Sequence, residues 1–181
     1  MPRKYPEIAF TESVKAAQTE HGSRELGRRL ASGTADDEHL SLAEIAFLGE
    51  RDSFYLATVN EDGWPYIQFR GGPKGFLKVL DTSTLGYANY RGNRQYVSVG
   101  NLGADDRVAL FFMDYPNRRR LKMFARAEVL DAEARPELRA RLVDPAYPAQ
   151  VEHLVLFHVV AFDWNCPQHI TPRFTAEDLG R

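Results

Sequence analysis

At Phe54 the hydrophobic pattern changes from helical spacing to the alternation of strands, and from there turn residues cut the chain into hairpins of matched length. Phe54 to Asn60 and Trp64 to Arg70 flank Glu61-Asp62-Gly63, where Asp-Gly supplies the positive-φ residue of a tight hairpin. Phe76 to Leu80 and Thr84 to Tyr90 flank Asp81-Thr82-Ser83, and Val108 to Tyr115 pairs most simply with Leu121 to Leu130 across Pro116-Asn117-Arg118. A last strand runs from Leu154 to Trp164. Six or seven mainly antiparallel strands with few helices favour a small barrel, because closing the sheet removes its exposed edges. The expected class is mainly β (α+β), with flanking helices.

Those helices lie mostly before residue 52. Thr11 to Glu20 and Ser23 to Leu30 are ended by Gly22 and Gly33, and Ser41-Leu42-Ala43-Glu44 is a capping box followed by the apolar face Ile45, Phe47 and Leu48. Another helix is predicted from Ala132 to about Val143, before the proline-broken loop Asp144-Pro145-Ala146-Tyr147-Pro148. The 181 residues suit one domain with one core, with residues 1–40 as a helical extension packed on a barrel of residues 41–181.

No apolar run approaches the about 20 residues that cross a bilayer, and the N-terminus lacks the apolar segment of a secretory signal, so the expected compartment is the cytoplasm. Cys166 is the single cysteine, which excludes an intrachain disulfide. With a net charge of -2, neither nucleic acid nor an anionic membrane is an expected partner.

Against that near-neutral background four cations, Arg70, Lys74, Arg91 and Arg94, fall within one stretch of paired strands. Arg70-Gly71-Gly72-Pro73-Lys74-Gly75 combines cations with glycines that let a ligand approach the backbone, and Asn93-Arg94-Gln95 reads as a helix start with Asn93 as N-cap. The plain alternative is a turn whose cations are solvated. The coincidence of the two segments favours an anion site, since each charge-assisted hydrogen bond to a phosphate contributes about 1.5–3 kcal/mol. Neither segment carries the spacing of a P-loop or of a dinucleotide-binding loop, which disfavours an NTPase.

Phe54-Tyr-Leu-Ala-Thr-Val, Tyr66-Ile-Gln-Phe-Arg70-Gly-Gly and Leu85-Gly-Tyr-Ala-Asn89-Tyr-Arg-Gly-Asn-Arg94-Gln95, in that order, resemble the FMN-binding split barrel of the pyridoxamine 5'-phosphate oxidase-like family over about residues 41–170. The resemblance implies a homodimer with FMN at the subunit interface and an unknown small-molecule substrate. It implies that Arg70, Arg94 and Gln95 grip the FMN phosphate, with Asn93 beside them and Lys74 as a further candidate. Gln68, Phe69, Arg70 and Gly71 with Ala88 and Asn89 would line the ring. Within Arg118-Arg119-Arg120-Leu121-Lys122, it implies that Arg119, Arg120 and Lys122 reach the flavin of the other subunit; the plain alternative is a solvated hairpin tip. Trp164, Gln168 and His169 would stand beside the partner's flavin, or simply pack a chain end.

The sequence departs from the pyridoxamine phosphate oxidases in lacking a clear C-terminal Arg-x-His element, since only Arg173 follows His169. That bears on the substrate and not on FMN. No catalytic acid, base or thiol is assigned, and the histidines lack metal-ligand spacing. Three readings stay open: an FMN-dependent oxidoreductase, a non-catalytic flavin or haem carrier or sensor with His158 or His169 as axial ligand, and a deazaflavin protein on the same barrel.

Overall fold

The computed structural model describes residues 2–180. Helices α1 (Lys4–Ala9), α2 (Glu12–Glu20), α3 (Arg24–Ala31) and α4 (Leu42–Gly49) precede strands β1 (Ser53–Val59), β2 (Pro65–Gly71), β3 (Lys78–Asp81) and β4 (Thr84–Tyr90). Then come α5 (Val97–Ala104), β5 (Arg107–Asp114), β6 (Arg119–Asp131), α6 (Pro136–Leu142) and β7 (Val151–Trp164). The seven strands form one antiparallel sheet in the order β2-β1-β5-β6-β7-β4-β3.

The three hairpins expected from turn chemistry all form. Gly63 has φ 84°, and Asn60 Oδ1 accepts from Trp64 N at 2.8 Å, which fixes the β1–β2 register with Val59 opposite Pro65. Phe54, Leu56 and Thr58 alternate inward along β1. The sheet then curls. Although Phe54 and Tyr87 sit on strands far apart in the sheet order, their rings meet edge-on at 5.6 Å, and Phe54 also touches Phe76, Phe112 and Phe157. Fully burying each such ring stabilises the fold by about 1.5–3 kcal/mol. Among the described residues no hydrogen-bonded ladder joins β2 to β3 or β4, so the barrel is split along that side.

Helix α4 closes one end of the barrel. Its capping box is complete, with Ser41 N donating to Glu44 at 3.0 Å, and Phe47 and Leu48 are buried. Burial alone would raise the Glu44 carboxyl, but hydrogen bonds from Ser41 and from Trp164 Nε1, the latter at 2.7 Å, outweigh it and hold the group below its ordinary value.

Helix α1 has no counterpart in the expected elements. The buried Asp37 carboxylate accepts the N–H groups of Lys4 at 2.8 Å and Tyr5 at 2.9 Å, and Tyr5 stacks on Phe124 at 5.0 Å. A distant side chain thus caps a helix that its own sequence does not announce. Helix α6 begins at Pro136 and not at Ala132, because proline suits the first helical turn, where its missing N–H is no loss. Strand β3 starts two residues after Phe76, whose N–H closes a turn onto Pro73 O at 2.8 Å. No helix among the described residues is long and apolar enough to cross a membrane.

Candidate functional site

Strand β2 borders the split, and its side chains alternate between two environments. Tyr66, Gln68 and Arg70 are half-buried, whereas Ile67 and Phe69 on the other face are exposed. Across the split, β4 brings Ala88 and the buried Asn89, and the chain continues through residues 91–96 into α5. Between them lies a cavity of about 400 Å³, lined by both strands, this loop and the first turn of α5.

Two donors in the cavity wall are unused. Arg70 Nη1 makes only a long contact with Asn89 Oδ1 at 3.4 Å, and Arg70 Nε is buried with no hydrogen-bond partner among the described residues. Ser98 Oγ, on a residue 4% exposed in the first turn of α5, is likewise unpartnered. A buried polar atom left unpaired costs about 1–3 kcal/mol, so two around one cavity mark the place of an acceptor-rich ligand. Among the described residues no side chain caps α5, and the positive end of its dipole faces the same space.

The loop that delivers Arg94 is strained. Arg94 has φ 62° and Tyr96, at the N-cap of α5, has φ 53°. Left-handed backbone at a residue other than glycine costs about 1–3 kcal/mol and persists only where surroundings enforce it. Here Glu152 from β7 accepts from Arg91 Nε at 2.7 Å and from Tyr96 Oη at 3.1 Å, and Arg94 Nε donates to Tyr96 Oη at 3.4 Å. The hydrogen bond from Arg91 holds the Glu152 carboxyl below its ordinary value.

Of the residues expected at the site, Gln68 to Gly71, Ala88, Asn89 and Asn93 to Gln95 all line the cavity. Asn93 is not the N-cap, however. Its Oδ1 accepts from Gln95 N at 3.2 Å in a local turn, and α5 begins only at Val97, because two positive-φ residues intervene. The remaining candidates lie elsewhere in their own chain. Lys74 is ion-paired with Glu50 at 2.6 Å, since the Gly72-to-Gly75 turn folds back on the end of α4. The Arg119 guanidinium stacks on Phe47 and Trp164, at 5.2 and 4.6 Å from their ring centres. Trp164 is committed to that stack and to Glu44, and Lys122 to the Tyr5 ring and Asp163.

Arg120 lines a second cavity, of about 440 Å³, on the outer face of the barrel beside Ile67, and His169 and Arg173 line it too. Its Nε is also buried and unpartnered among the described residues. His158 is half-exposed, 3.6 Å from Glu128, and neither it nor His169 reaches the first cavity. Ser98, Tyr96 and Glu152 were not legible as site residues. Ser98 lies within an apolar stretch, and Glu152 is more than fifty positions from the loop it holds.

The antiparallel sheet curled into a split barrel is the architecture of the pyridoxamine 5'-phosphate oxidase-like split barrels. A family model described as pyridoxamine 5'-phosphate oxidase matches residues 43–164, about two thirds of the chain, and the chain belongs to that family. Among solved structures, an FMN-binding protein from Syntrophomonas wolfei is similar at 16% identity over 86% of this chain and 96% of its own, with a TM-score of 0.53. HupZ from Group A Streptococcus is similar at 14% identity over 70% of this chain and 99% of its own, also with a TM-score of 0.53. A Lactobacillus delbrueckii protein, provisionally described as a pyridoxamine 5'-phosphate oxidase, is similar at 24% identity over 71% and 96%, with the same score of 0.53. These likenesses establish the fold. A comparison with curated protein sequences found no match.

Proposed function

We propose that this protein is an FMN-binding flavoprotein that serves as an oxidoreductase for a small molecule. The observation that carries the reading is the pair of unpartnered buried donors, Arg70 Nε and Ser98 Oγ, in the wall of one cavity with Arg94 at its loop. A phosphate monoester supplies the acceptors and the negative charge that these groups lack. The cavity volume is within the range of about 300–1,000 Å³ usual for small-molecule and cofactor sites. Arg70, Ser98, Arg94 and the free N–H groups of α5 would hold the phosphate, and Gln68 to Gly71 with Ala88 and Asn89 would border the ring. A bound flavin supplies hydride and single-electron transfer, so the chain itself need contribute no acid or base.

The active unit in this reading is a homodimer. Ile67 and Phe69 leave an apolar strip exposed on the outer face of β2, next to the second cavity with its unpartnered Arg120. A second copy covering that strip would bury it and bring Arg120 of each chain toward the flavin of the other. The single cysteine fits a cytoplasmic setting.

An absorption spectrum of the purified protein, with mass spectrometry of the released cofactor, tests the assignment. The expected result is a two-banded yellow spectrum and the mass of FMN. A Soret band, a deazaflavin mass, or failure to bind added FMN overturns it. Anaerobic bleaching by NADH or NADPH tests the oxidoreductase part, and a flavin that no reductant or substrate bleaches reduces the protein to a carrier.

A further inference from the structure

One carboxylate stands at the edge of a cavity otherwise suited to an anion. Glu152 has a side chain only 10% exposed, and direct contact with a phosphate would be repulsive. Its hydrogen bonds point to another task. Residues 91–96 connect β4 to α5 and contain two non-glycine residues in left-handed backbone, Arg94 and Tyr96, on either side of Gln95. Such a conformation relaxes unless something outside the loop holds it.

The restraint comes from the start of β7. Gln150 O accepts from Arg91 N at 2.8 Å, and Glu152 takes both Arg91 Nε and the Tyr96 hydroxyl. The Tyr96 hydroxyl in turn accepts from Arg94. One carboxylate therefore ties both ends of the loop to the sheet and, through the long 3.4 Å contact of Tyr96 Oη with Arg94 Nε, bears on where Arg94 sits. Because it also neutralises Arg91, it leaves Arg94 and Arg70 as the cations free to meet a ligand.

We infer that Glu152 is a positioning residue: it holds the strained 91–96 loop so that Arg94 and the first turn of α5 are aimed together at the phosphate. This rests on the reading of the cavity as a phosphorylated-flavin site. Without Glu152 the loop relaxes, Arg94 loses its direction, and the phosphate grip weakens while the ring-binding strands β2 and β4 are untouched.

The test compares two ligands that differ only in the phosphate. FMN and riboflavin are titrated into apo wild type and the variants Glu152→Ala, Glu152→Gln and Arg70→Ala, with hydrogen exchange of residues 91–99 followed in the ligand-free proteins. Glu152→Ala is expected to weaken FMN by about tenfold or more while riboflavin changes less than about twofold, and to speed exchange in the loop. Glu152→Gln keeps an acceptor oxygen in place and is expected to recover most of the FMN affinity. If Glu152→Ala binds FMN as wild type does, or loses FMN and riboflavin equally, or leaves loop exchange unchanged, the inference is overturned. Loss of FMN binding in Arg70→Ala beside an unaffected Glu152→Ala sinks this inference alone. A wild type that binds FMN no better than riboflavin sinks the phosphate reading, and the inference with it.

Discussion

The chain has two clusters of cations, and most of one is consumed by its neighbours while the other is left available. Arg118 to Lys122 is the densest basic run, yet Arg119 lies on two rings and Lys122 is shared between Tyr5 and Asp163, and Arg120 alone of the three keeps a buried unpartnered Nε among the described residues, at the second cavity. Arg70 and Arg94 are 24 positions apart in sequence, and they meet at one cavity with donors to spare. Charge density along a sequence thus marks a site poorly. The better mark is a pair of buried donors left unsatisfied around one cavity, as with Arg70 and Ser98, because folding otherwise pairs nearly every such atom.

The sharpest way to break this contrast is Arg70→Ala combined with Arg94→Ala. Losing two charge-assisted hydrogen bonds of about 1.5–3 kcal/mol each predicts at least a hundredfold weaker FMN binding, with the melting temperature little changed. A flavin titration by fluorescence quenching reads the outcome, and affinity that survives both changes would remove the phosphate assignment. Ser98→Ala comes next. It removes about 1 kcal/mol of phosphate contact, or roughly fivefold in affinity, and because its hydroxyl has no partner among the described residues, unfolding titrations should show no loss of stability.

Within the dense run, Arg119 predicts the reverse pattern. Arg119→Ala should leave flavin affinity alone and lower stability by about 1 kcal/mol, or about 2–4 °C in melting temperature, through lost stacking on Phe47 and Trp164. Weakened flavin binding with unchanged stability would instead mean that Arg119 serves the site. The smallest effect concerns acid stability. The Glu44 carboxyl sits below its ordinary value in the folded chain, so its contribution is present above the unfolded-state value of about 4.3 and fades as pH falls through the lower folded value. Urea melts across that range should lose stability more gently in Glu44→Gln than in wild type.

Much of the architecture was readable because it rests on local chemistry. Asp62-Gly63 sets the first hairpin, Ser41 and Glu44 cap α4, and alternation along β1 and β5 selects the buried face. Where local signals were weak the expectation missed. Asn93 has an N-cap's side chain but not its position, since φ at Arg94 and Tyr96 delays the helix, and α1 depends on Asp37 reaching back from beyond α3.

What the sequence determined by itself was the set of strands, their hairpin pairing, and the two segments with the right chemistry to meet an anion. Only the tertiary structure decided which cations remain available and which are consumed by neighbours. It also recruited Ser98 and Glu152, neither of which announces itself in the chain. The reason is physical: hairpins and caps are fixed by interactions a few residues long, whereas the split that opens the cavity exists only after the sheet has curled to bring β2 opposite β4.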